Sequence, residues 1–147
     1  MELTEKVVAY ITRGNDLLVF SHTHHPQAGI QVPAGTVETG ETLEQAVLRE
    51  AMEETGLQGF QIRSFLATED YDFSHLGVPG ITRRHYFHLE FQGETPTSWR
   101  NDEKNPSDGS EGPIEFEFTW VKIPDEIPSL SGSLGDKLSK ILPTAGK

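Results

Sequence analysis

Between Gly35 and Leu57, six glutamates (Glu38, Glu41, Glu44, Glu50, Glu53 and Glu54) share the chain with one cation, Arg49. Carboxylates crowded in this way repel. Two unit charges about 6 Å apart cost roughly 3 kcal/mol at an effective dielectric near 20. A segment that repeats the arrangement is either well solvated or holds a cation. Oxygen-only donors suit a hard divalent ion, Mg2+ or Mn2+, over Zn2+. Such an ion supports water attack on a phosphoryl group, because it neutralises oxygens, orients phosphates and lowers the pKa of bound water. On charge alone an ordinary solvated acidic helix is the better account, so spacing has to decide.

The element that must position these groups is a helix. Thr42 followed three residues later by Gln45 is a capping-box start, and Gly56 is a C-terminal stop. Residues 43–55 then make about three and a half turns. At roughly 100° per residue, Leu48, Ala51, Met52 and Thr55 fall on one side and are expected to dock the helix. Glu50 and Glu54 lie one turn apart on another side, with Glu53 a little round from them. Arg49 and Glu53 are i,i+4 neighbours and should pair.

The full spacing is Gly35, five residues, Glu41, seven residues, Arg49-Glu50, two residues, Glu53-Glu54, one residue, Gly56-Leu57. This resembles the Nudix box of the Nudix hydrolase family. One position departs: Ala51 stands where the family prefers a bulky aliphatic residue, which bears on packing and touches no chemical group. The resemblance implies an α/β fold, a Nudix-type α/β/α sandwich with a mixed sheet. It spans most of the chain as a single domain, 1–147, with 143–147 as a frayed tail.

The resemblance also implies Mg2+-dependent (or Mn2+-dependent) hydrolysis of a nucleoside diphosphate linked to another group. Glu50 and Glu54 become the principal metal ligands, Glu53 a third ligand or water-mediated partner, and the Ala34 carbonyl completes the set. Gly35, Glu41, Arg49 and Gly56 become structural support. The general base varies among relatives. Glu117, three residues before Trp120, is one candidate; Glu94, Glu103, Glu111 and Glu115 are others, and Glu53 is an alternative. A domain that keeps the fold without turnover is the rival reading, and the intact box argues against it.

Around the box the chain reads as strands. Residues 6–12 and 17–22 suggest a hairpin about the Arg13–Asp16 turn, and residues 30–33 a short strand running into Ala34-Gly35. Residues 60–71 and 81–91 are two further strands. Arg83, Arg84 and His85 form the densest positive group; Arg83 and Arg84, with Tyr71, are candidate substrate contacts, and pairing with Asp70 and Asp72 is the equal alternative. His22, His24 and His25 lie in a loop better read as substrate-facing than as a metal site, since no regular element focuses them on one ion. Gly93–Pro113 reads as a long polar loop whose Trp99 either stacks on a base or, the better account, anchors the loop. Residues 114–123 alternate Ile114, Phe116, Phe118 and Trp120 against Glu115, Glu117 and Thr119, the pattern of a half-buried strand. Leu134, Leu138, Ile141 and Leu142 have the spacing of a closing amphipathic helix.

Composition narrows the partners. At 147 residues and 35% apolar content the chain suits one sizeable core. A net charge of −11 argues against a basic nucleic-acid surface, and a polyanionic substrate needs a metal to approach. There is no cysteine, hence no disulfide or thiolate nucleophile, as in a reducing cytoplasm. The N-terminus lacks a signal-peptide pattern, and no apolar run approaches a membrane span. A homodimer is possible on family grounds alone. The expected partner is a nucleotide-type small molecule.

Overall fold

The computed structural model describes residues 2–103, 114–123 and 125–141. Its strands are β1 (Leu3–Arg13), β2 (Asp16–His22), β3 (Ala34–Thr36), β4 (Phe60–Tyr71), β5 (Ile81–Phe91), β6 (Ser98–Glu103) and β7 (Ile114–Lys122), with helix α1 (Leu43–Thr55) between β3 and β4. They form one sheet in the order β4-β5-β1-β2-β7-β6, with β3 alongside β1. β1 and β5 run parallel and the other pairs antiparallel, so the sheet is mixed and the class α/β.

Strand alternation divides β1 between two cores. Val7, Ala9 and Ile11 meet Ala46, Val47 and Ala51 of α1, together with Phe87, Leu89, Phe116 and Phe118. Val8 and Tyr10 face the opposite side, with Leu17, Val19, Tyr86, Leu134 and Leu138. α1 therefore covers one face of the sheet and residues 125–141 the other.

That second cover is not the expected closing helix. α1 is the one α-helix among the described residues, and the C-terminal stretch makes 3-10 turns at Ser131–Ser133 and Leu138–Lys140. Gly132 (φ 61°) and Ser133 (φ 64°) adopt left-handed backbone, which interrupts any continuous helix. Leu134 and Leu138 are buried all the same. Leu142 and the 143–147 tail lie outside the described residues.

The Gly93–Pro113 segment is likewise not all loop. Residues 98–103 form edge strand β6, paired with β7 from Ser98–Thr119 to Glu103–Ile114. Trp99 is anchored, stacked on Phe118 at 5.4 Å between ring centres. The short strand before the box begins later than expected, at Ala34, while Ile30 and Gln31 make only isolated bridges to Leu130 and Phe20. On α1 the buried residues are Ala46, Val47, Glu50, Ala51, Glu54 and Thr55; Leu48 is half-buried and Met52 is 41% exposed. The docked face is thus rotated from the expected one: it keeps Ala51 and Thr55, takes in Glu50 and Glu54, and leaves Met52 out.

Candidate functional site

The N-terminus of α1 is closed locally. Thr42 Oγ1 accepts from the Gln45 amide at 3.1 Å, and Gln45 Oε1 accepts from the Thr42 amide at 3.0 Å. Such a reciprocal cap contributes about 1 kcal/mol. At the other end Gly56 takes φ +75° and donates its amide to Met52 O at 2.9 Å.

Between these caps the helix turns Glu50 and Glu54 toward the sheet, leaving them 2% and 4% exposed. The Glu50 carboxyl occupies the space beside Gly35 on β3. A methyl group at position 35 would collide with its carbon and both oxygens. Glu50 Oε1 accepts from Arg49 Nη1 at 2.8 Å, whereas Oε2 is buried with no protein donor. Burial pushes the Glu50 carboxyl above the usual range; the Arg49 guanidinium opposes that shift, and the Glu54 carboxyl lies within hydrogen-bonding reach.

Arg49 ties the preceding loop to the helix. It donates to both Glu41 oxygens (Nε–Oε2 2.5 Å, Nη2–Oε1 2.9 Å), to Thr36 O at 3.0 Å and to Glu53 Oε1 at 3.1 Å. Glu41 Oε1 also accepts from the Glu38 amide at 2.9 Å. The hydrogen bond to Glu41 is the main reason that the guanidinium is held above its ordinary pKa and the Glu41 carboxyl below the usual range.

The arrangement is therefore two buried carboxylates, an exposed third (Glu53) turned to Arg49, and a glycine cleared for close approach. Among the described residues no group of three or more His, Cys, Asp or Glu side chains is arranged to hold a metal ion. The donor set nonetheless fits a hard cation. It is all oxygen, and Glu50 Oε2 is a buried acceptor that no protein group satisfies.

Comparison with known proteins turns the resemblance into a family. The NUDIX domain profile matches residues 3–133. The chain belongs to the Nudix family. Among curated relatives, this Nudix chain is 39% identical over 69 residues to an NAD-capped RNA hydrolase, NudC, of Photorhabdus laumondii, covering 47% of this chain and 26% of the relative. It is 42% identical over 67 residues to the Shigella flexneri NudC, covering 46% and 26%. The Nudix chain thus spans about a quarter of those relatives. Among solved structures, a MutT NUDIX hydrolase from Burkholderia pseudomallei superposes with a TM-score of 0.68 at 20% identity, covering 96% of this chain and 99% of that one. A NUDIX hydrolase from Nitrosomonas europaea gives 0.61 at 19% identity, covering 99% and 100%. These structures establish the fold.

The remaining candidates of the Nudix chain scatter. Ala34 directly precedes Gly35 on β3, and its side chain packs on the second core. Glu117 is exposed on β7, and its neighbours Phe116 and Phe118 are the residues that join the α1 core. By strand alternation it stands on the opposite face, lining a cavity of about 250 Å3 with Val19, Ser21, Ile30, Ser98 and Thr119. Glu115 lies 3.7 Å from both His24 and Arg100. Glu111 and the Glu103 side chain lie outside the described residues.

Arg83 forks onto Asp70 at 2.7 and 3.1 Å, the pairing reading rather than an open phosphate contact. Arg84 donates to Gly132 O at 2.7 Å and lies over the Tyr71 and Phe73 rings. The Tyr71 hydroxyl bonds Tyr86 and Asp136, at 2.6 and 2.9 Å. The three histidines do not converge on one point: His22 packs edge-on against Phe116 and against His25, His25 also contacts Gln27, and His24 turns to Glu115.

Asn101 of β6 is the residue that sequence reading missed, and Trp99, expected only as an anchor, also reaches the helix end. Asn101 Nδ2 donates to Glu53 O at 3.1 Å and Glu54 O at 2.8 Å, and Trp99 Nε1 to Thr55 O at 3.0 Å. Nothing in a polar stretch such as Ser-Trp-Arg-Asn-Asp-Glu announces such contacts.

Proposed function

We propose that the chain is a Mg2+-dependent (or Mn2+-dependent) pyrophosphohydrolase acting on a nucleoside diphosphate linked to another group. The observation that carries this reading is the buried Glu50–Glu54 pair beside Gly35, with a Glu50 oxygen that no protein donor satisfies. Glu50, Glu54 and the Ala34 carbonyl would hold the ion, with Glu53 reaching it through a water once released from Arg49. Bound there, the metal would neutralise phosphate oxygens and acidify water. Water attacks phosphorus, the P–O bond of the diphosphate breaks, and a nucleoside monophosphate leaves with the remainder.

We assign proton removal from that water to Glu53, exposed beside the buried pair. Glu117 is the alternative, although β7 turns it to the face of the sheet opposite α1. Arg83, Arg84 and Tyr71 would have to leave the partners described above to bind substrate. The names of the NudC relatives make an NAD-capped RNA end the first compound to try. One catalytic domain, working as a monomer or homodimer in the cytoplasm, completes the reading.

The test is a panel of nucleoside diphosphate derivatives with Mg2+, followed by monophosphate release. Glu54→Gln should remove nearly all turnover while the far-ultraviolet circular dichroism stays native. Turnover within about tenfold of wild type sinks the assignment. Glu53→Gln should lower kcat more than it changes KM. If Glu117→Gln alone does so, the base is Glu117.

A further inference from the structure

A helix leaves its last four carbonyls without intrahelical partners. In α1 all four are taken, three of them from an unusual source. Met52 O accepts from the Gly56 amide. Glu53 O and Glu54 O both accept from Asn101 Nδ2, and Thr55 O accepts from Trp99 Nε1. No basic side chain lies in that last turn. Two side chains from edge strand β6 do the work that solvent or a lysine usually does.

The fit is close. A β-carbon at Gly56 would come within 2.8 Å of Asn101 Oδ1, so the glycine is needed for this approach as well as for its left-handed backbone. Trp99 is fixed on its other side by stacking on Phe118. Asn101 stands opposite Phe116 on β7, so both β6 residues are referenced to the sheet and not to the helix.

We propose that Asn101, backed by Trp99, is a positioning residue for the metal-binding turn. It sets the rotation and height of the backbone carrying Glu53 and Glu54 relative to the Glu50–Gly35 contact. This rests on the metal-dependent reading above. The amide of Asn101 offers two donor hydrogens to two successive carbonyls, so the turn is held at two points by one planar group. Losing it frees the end of α1 while the capping box and Arg49 still hold the start. The carboxylates then stay on the helix but lose their common aim.

The experiment compares Asn101→Ala and Asn101→Asp with wild type and with Leu138→Ala, a destabilising change in the opposite core. Three quantities are read: Mn2+ affinity by electron paramagnetic resonance, the kcat and KM of the best substrate, and hydrogen exchange of the amides of residues 53–57. Both Asn101 variants should weaken Mn2+ binding about five- to tenfold, lower kcat with KM nearly unchanged, and raise exchange in the last turn. Asn101→Asp should be the more severe, since a carboxylate faces two carbonyl oxygens. Leu138→Ala should lower the melting temperature without moving Mn2+ affinity. Mn2+ affinity within twofold of wild type in both Asn101 variants overturns the proposal and leaves the hydrolase reading standing. Failure of the wild type itself to bind Mn2+ overturns both.

Discussion

The Glu50 carboxyl rests against the backbone of Gly35, in the volume that any β-carbon at that position would fill. The glycine is there because a charged group from the helix needs its space, not because the backbone needs a left-handed turn. Gly35→Ala should push Glu50 off its seat while α1 keeps its caps. Displacing a reacting group by about 1 Å can cost a hundredfold in rate. A loss of about that size in kcat, with circular dichroism unchanged, is the expected outcome; near-normal turnover counts against the placement.

Glu50→Gln separates stability from activity. Burial disfavours the Glu50 charge, and a neutral amide of the same shape can still accept from Arg49. In chelator the variant should therefore melt at or above the wild-type temperature. On adding Mg2+ the wild type should gain stability by mass action and the variant should not. Thermal unfolding with and without the ion reads both effects, and an equal Mg2+ response in the two proteins refutes the ligand assignment.

Arg49 holds one loop and one helix through a planar fork that a lysine cannot copy. Arg49→Lys should lose the paired contact with Glu41 and the bond to Thr36 O. Charge-assisted hydrogen bonds are worth about 1.5–3 kcal/mol each. A loss of roughly 2 kcal/mol in urea unfolding is expected, with most of the melting transition's cooperativity retained. A change below about 0.5 kcal/mol would show the fork to be dispensable.

His88 should give the fold an acid-sensitive component. Burial and then the nearby Arg63 hold its pKa below 6.5, and its Nε2 meets Thr12 Oγ1 at 2.8 Å. The unfolded chain therefore binds the proton more readily. Stability from this site is complete above about pH 6.5 and declines as pH falls from there through the lowered folded value. In urea titrations at pH 7.5 and 5.5, His88→Gln should lose less stability than wild type over that interval. Equal losses would place the sensitivity elsewhere.

Much of this molecule was legible as sequence, and the exceptions have physical causes. Thr42, Gln45 and Gly56 bounded α1 correctly because capping is local chemistry. β4 and β5 were readable from their apolar content. The docking face of α1 was misread because Glu50 and Glu54 lie on it, and buried charges break the apolar periodicity that such readings follow. β6 escaped notice because an edge strand needs one good anchor, here Trp99, and is otherwise polar. Leu134 and Leu138 were recognised as core, but the same i,i+4 spacing arises from successive 3-10 turns once Gly132 and Ser133 bend the chain. Arg83 could be paired or free on sequence alone, and the β4–β5 register, which sets Asp70 against it, decides.

The two ends of α1 depend on different lengths of chain. Its first turn is closed by residues three positions apart, Thr42 and Gln45. Its last turn is closed by Trp99 and Asn101, more than forty positions downstream, and only once β6 has paired with β7. Closing a contact over such a distance carries a larger entropy cost than closing the local cap. As the chain leaves the ribosome, the helix can begin at Thr42 long before the carboxylates at its far end are held in place. A fragment that stops short of β6 would carry every glutamate of the motif and still lack a finished site.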